Sequence, residues 1–102
     1  MKEIKLLSEH IEEELEDACE YAKFAIEYKH KNPGMAQLFY KLSTEEMNHK
    51  DMLHNEVTKM IAEHRRTVGE PPAAMMAVYE FMHERFVAMA EKVMTLHNLF
   101  HK

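Results

Sequence analysis

The stretch Leu42-Ser-Thr-Glu-Glu-Met-Asn-His-Lys-Asp-Met-Leu-His-Asn-Glu-Val-Thr-Lys-Met60 decides how this chain folds. Extended backwards, it places Met35, Phe39, Leu42, Glu46, His49, Leu53, Glu56 and Met60 in steps of four and three. Residues so spaced share one face of an α-helix. Glu46 and His49 stand one turn apart on that face, among Phe39, Leu42 and Leu53, and are expected to point into a dry seam. A carboxylate and an imidazole are costly there unless a charge compensates them, and a metal ion is one such charge.

The segments around this stretch read the same way. Residues 3 to 31 form a first helix with the row Ile4, Leu7, Ile11, Glu14, Ala18, Tyr21, Ala25, Tyr28, a heptad pattern with one acid in its middle. Asn32-Pro33-Gly34 then breaks the chain: Asn32 is placed to cap the next helix, and Pro33 takes a first-turn position. The second helix runs from 33 to 66, antiparallel to the first because the joining loop is short. Thr67-Val-Gly-Glu-Pro-Pro72 is the second break. A third helix, 73 to 101, has its main row at Met75, Val78, Met82, Phe86, Met89, Val93, Leu96 and Phe100. It is apolar beyond that row at Met76, Phe81, Val87 and Met94, which suggests a subunit interface. No segment alternates as a strand does. The expected fold is all-α, one domain over residues 1–102.

Composition agrees and narrows function. Two glycines and three prolines among 102 residues, with ten methionines, suit long helices. A net charge of -5 argues against nucleic acid and anionic membranes and favours cations. The single cysteine, Cys19, excludes an intrachain disulfide and a Cys-x-x-Cys metal site. With no apolar run near the ~20 residues of a membrane span and no signal-like start, a cytoplasmic location is expected.

The two rows meet at one level. Glu14 lies 18 residues before Asn32, while Glu46 and His49 lie 14 and 17 after it, so an antiparallel hairpin sets all three at the same height. Two hairpins about a two-fold axis would contribute four Glu and two His to a four-helix bundle, the donor count of carboxylate-bridged di-iron and di-manganese bundles. Oxygen donors with imidazole suit Fe(II) or Mn(II).

Residues 10 to 60 resemble the ferritin-like superfamily, especially the rubrerythrin domain and the half-sized encapsulated ferritins. Glu14 followed by Tyr21, Phe24 and Ala25 is similar to the rubrerythrin pattern of a ligand Glu, a Tyr and a Phe-Ala pair, and Glu46-Met-Asn-His49 matches its Glu-x-x-His. The resemblance implies a dinuclear iron site, manganese being the other metal such sites take. In it Glu14, Glu46 and His49 are ligands and catalytic residues, Glu46 bridges two ions, and Tyr21 orients a ligand by a hydrogen bond. It also implies a homodimer or higher oligomer and ferroxidase activity in iron storage or detoxification. The rubredoxin module of rubrerythrins is missing, and His-Asn-Leu-Phe-His-Lys at the C-terminus does not resemble a shell-targeting peptide.

Plainer readings stand beside these. Glu-x-x-His arises by chance in a Glu-rich chain, as at Glu27/His30 and Glu80/His83; the latter pair lies off the main row of the third helix, and whether that helix donates ligands is left open. Glu56 continues the second row as an accessory metal candidate or a surface salt-bridge partner. Asp17, His10 and His54 flank the rows and are expected to be solvated, and the methionines of the third helix to serve packing rather than copper. Two other functions fit the pattern: a metal-free helical oligomerisation module, and a rubrerythrin-like peroxide reductase with an external electron donor.

Overall fold

The computed structural model describes residues 2–102 as three helices: α1 Lys2–Tyr28, α2 Pro33–Thr67 and α3 Ala73–Phe100. They form a rod of 55 × 18 × 18 Å. No helix among the described residues is long and apolar enough to cross a membrane.

Both breaks act through the chemistry expected of them. The Asn32 side chain accepts a hydrogen bond from the Met35 N–H at 3.2 Å, and Pro33 opens α2. At the far end of α2 the N–H groups of Val68 and Gly69 both reach the His64 carbonyl, at 2.9 and 3.0 Å. Gly69 takes φ 124°, which side chains disfavour. The chain then turns through Pro71 and Pro72 into α3.

α1 is the central helix, packing on α2 along one side and on α3 along the other. Its buried residues are Ile4, Ser8, Ile11, Leu15, Ala18, Ala22 and Ala25. Towards the free end of the hairpin, Ile4, Ile11 and Leu15 meet Val57 and Ile61 of α2 and Phe86 of α3. Near the hairpin turn the core is built from small residues, Ala25 and Ala36, closed by Phe100. Between these clusters Ser43 of α2 donates to the Ala18 carbonyl of α1 at 2.7 Å, and His97 of α3 lies 2.7 Å from the same hydroxyl. One buried hydroxyl thus ties all three helices together between the two clusters.

The helical rows are correct in period, but that of α2 is rotated. On α2 the fully buried residues are Ala36, Ser43, Val57 and Ile61. Each follows a member of the expected row, Met35, Leu42, Glu56 or Met60, by one residue. Met35, Phe39, Leu42, Glu46, Leu53 and Met60 are half-buried, and His49 and Glu56 are exposed. The expected dry seam is therefore an edge. Small Ala36 and Ser43 let α2 approach the alanines of α1 closely, and the larger side chains line the flank. On α1 the expected row splits: Ile4, Ile11, Ala18 and Ala25 are buried as predicted, while Leu7, Glu14, Tyr21 and Tyr28 are half-buried on the flank.

α3 folds back onto its own hairpin. Phe86, Val93 and Phe100 are buried as the periodicity predicts, but His97 rather than Leu96 completes the set. Val78 is 60% exposed and Phe81 63%, and Val87, Met94 and Leu99 also face outwards. Arg85 of α3 bonds Glu12 of α1 at 2.7 Å, an exposed pair worth little on its own.

Candidate metal centre

Glu14, Glu46 and His49 come together as the hairpin register predicts. One donor atom from each lies within 4.8 Å of the other two. His49 Nδ1 is 3.5 Å from Glu14 Oε2 and 3.6 Å from Glu46 Oε1. These separations are longer than good hydrogen bonds. They are close to the roughly 3–3.5 Å between neighbouring donors that ligand bonds of ~2.0–2.2 Å to one ion impose.

Burial is graded across the group. The Glu46 and Glu14 side chains are 19% and 24% exposed and that of His49 is 52% exposed. Glu14 Oε2 is itself buried and has no hydrogen-bond partner among the described residues. A buried carboxylate oxygen left without a donor is unfavourable and asks for a cation or a proton. An ordinary surface ion pair, the plain alternative, would leave that oxygen wet or bonded.

The surrounding scaffold explains why these three meet. Ala18 lies one turn beyond Glu14 on α1, and Ser43 one turn before Glu46 on α2. The Ser43–Ala18 bond therefore fixes the height of one helix against the other directly beside the donors. His97, which secures that hydroxyl from α3, was absent from the expected row. Its signal was present: Val93, His97 and Phe100 step by four and three, as regularly as any apolar set on α3. Burial, and secondarily His101, hold the His97 pKa below its usual value.

The other sequence candidates take different places. Tyr21 stacks on Phe39 at 6.1 Å, beside Phe24 and Tyr28, in an aromatic group near the hairpin turn. It gives no hydrogen bond to Glu14 Oε2. Glu56 is exposed and outside the donor group. Glu80 is exposed, and His83 turns towards α2, so α3 supplies no donor to this group among the described residues. His10 and Asp17 are exposed as expected. His54 is not: it is half-buried against His83, with ring centres 5.1 Å apart.

The donors sit in an apolar surround. Leu7, Tyr21, Phe24 and Tyr28 of α1 and Met35, Phe39, Leu42, Leu53 and Met60 of α2 are half-buried along the edge that carries Glu14 and Glu46. Two carboxylates and an imidazole so placed can bind a divalent cation, with coordination positions left over for water, oxidant or further protein donors. No protein-family model, curated protein or solved structure matches this chain.

Proposed function

We propose that the chain is a ferritin-like di-iron protein that binds Fe(II) at a subunit interface and oxidises it, for iron storage or detoxification. The observation that carries this reading is the donor group itself: Glu14 with a buried, unbonded Oε2, gathered with Glu46 and His49 within 4.8 Å. Two copies joined along the half-buried edge of the hairpin would bring four glutamates and two histidines to one seam, giving a four-helix bundle with a dinuclear site.

The donors suit the chemistry. Carboxylates offset the charge of the ions and stabilise the higher oxidation state more than the lower, and each imidazole completes one ion's set. Fe(II) is the substrate: two ions give up one electron each. With dioxygen, two electrons and two protons yield hydrogen peroxide; with peroxide, they yield two waters. The acidic balance of the chain favours delivery of cations.

Anaerobic Fe(II) titration of the purified chain, with its mass measured in solution, tests the reading. The expected result is one Fe(II) per chain in a dimer or larger oligomer, with Glu46→Ala losing the iron but not the helical fold. A chain that takes up no Fe(II) would be a helical oligomerisation module instead. Mixing the loaded protein with dioxygen or with peroxide separates a ferroxidase from a peroxide reductase.

A further inference from the structure

His54 and His83 are the only imidazoles of the described residues that meet across two helices, α2 and α3, in a ring contact. Their ring centres are 5.1 Å apart and their planes differ by 16°. They stand in a groove between α2 and α3 lined by Ile11, Phe86, Val87, Ala90 and Met94 on its apolar side and by Lys50 near the rings. Tyr79 stacks on His83 at 6.0 Å.

We propose that His54 and His83 form a second metal site, contained in one chain, for a borderline divalent ion of the Zn(II) or Cu(II) type. Two imidazoles bound to one tetrahedral ion at ~2.0–2.1 Å have ring centres about 5 Å apart, so the helices already hold them at the separation that coordination requires. The rings now face each other; a turn about the bond from Cβ to the ring, available to half-exposed side chains, aims one nitrogen of each at a shared point. Imidazole donors without thiolates or carboxylates suit zinc, copper or nickel better than calcium or magnesium.

The local charges agree with this arrangement. Burial, the facing His83 and Lys50 all disfavour a proton on His54, outweighing Asp51, so the ring stands in the neutral form that ligates metal. Asp51 and Glu80 each precede one of the two histidines by a turn. Asp51 is held at 2.5 Å by Lys50 and Glu80 is exposed, so in this state neither joins the pair. Two imidazoles leave at least two positions of a four-coordinate ion to water or to those carboxylates. An ion here would clamp α3 onto α2, which touch least closely of the three helices, whereas the Glu14 group joins α1 to α2.

The experiment is a Zn(II) titration of the full chain carrying Glu46→Ala, which removes the first group's contribution and makes the result independent of the di-iron reading. One ion per chain is expected, with a melting temperature raised by roughly 10 °C at about 100 times Kd. His54→Gln or His83→Gln should each weaken binding by about tenfold or more, while His30→Gln leaves it unchanged. Ring ¹⁵N resonances of histidine-labelled Glu46→Ala protein supply a reading that needs no further variant: those of His54 and His83 should move together. Affinity unchanged from the parent in both His variants, movement of other histidines instead, or no uptake of Zn(II), would overturn the assignment.

Discussion

His97 Nε2 and Ser43 Oγ lie 2.7 Å apart inside the protein, and the direction of that bond follows from its neighbour. The Ser43 hydroxyl has one proton and donates it to the Ala18 carbonyl, which can only accept. His97 must therefore carry its proton on Nε2 and donate to Ser43. Replacing Ser43 by alanine strands a buried N–H and a carbonyl that lost its second partner. The expected cost is about 1–3 kcal/mol, read from urea unfolding of the metal-free chain. A loss below about 0.5 kcal/mol would show that the three-helix tie contributes nothing.

Acid should destabilise the fold through two histidines. His97 and His54 both have folded pKa values below the unfolded value of about 6.5, His97 by burial and then His101, His54 by burial and then His83 and Lys50. A base with a lowered folded pKa is neutral in both states above about pH 7 and contributes no slope there. As the pH falls through 6.5 the unfolded chain takes up protons that the folded chain refuses, so stability drops until the lowered folded values are reached. Thermal melts across this range should show the drop, and His97→Gln should flatten it. An unchanged profile in both His97→Gln and His54→Gln would remove these residues as its cause.

The period of the helices was legible in the sequence, but their rotation was not. Asn32, Pro33 and the paired prolines marked the breaks, and counting residues from Asn32 set Glu14 level with Glu46 and His49, because rise per residue is nearly constant. The rows themselves followed the largest apolar side chains. Close packing of two helices instead places the small residues at the line of contact, here Ala22, Ala36 and Ser43 beside Ala18 and Ala25 of the expected row, and moves Phe39, Leu42 and Tyr21 to its flank. A single helix's pattern fixes its period, but which side leads depends on the partner. For the same reason the sequence did not choose His97 over Leu96, both being in step with Val93 and Phe100, nor bring His54 to His83: each depends on where α3 settles, and α3 is apolar over more than one face.

Glu14 is expected to trade stability for binding. Its Oε2 is buried and unbonded, so Glu14→Leu removes an unfavourable group from a position that also borders Ile11 and Ala18. The metal-free variant should be more stable than the parent by about 1 kcal/mol and should bind no Fe(II). Differential scanning calorimetry of both proteins in chelator checks the first part. A less stable variant would mean that the carboxylate is satisfied by a neighbour or by water in solution.

The half-buried edge of the hairpin should be where two copies meet. A stable interface needs about 800 Å² from each partner, and the edge from Leu7 to Tyr28 on α1 and from Met35 to Met60 on α2 runs most of the length of the rod. α3 presents a competing apolar surface at Val87 and Met94. Leu42→Arg places a charge beside Glu46 on the edge, and Val87→Arg places one on α3. If the edge is the interface, light scattering should find Leu42→Arg reduced to the 12.1 kDa monomer with its helicity intact and its Fe(II) affinity lowered, while Val87→Arg retains both dimer and iron. The opposite outcome, a monomer from Val87→Arg alone, would assign the contact to α3, and the Glu14, Glu46 and His49 groups of two chains would then never share a seam.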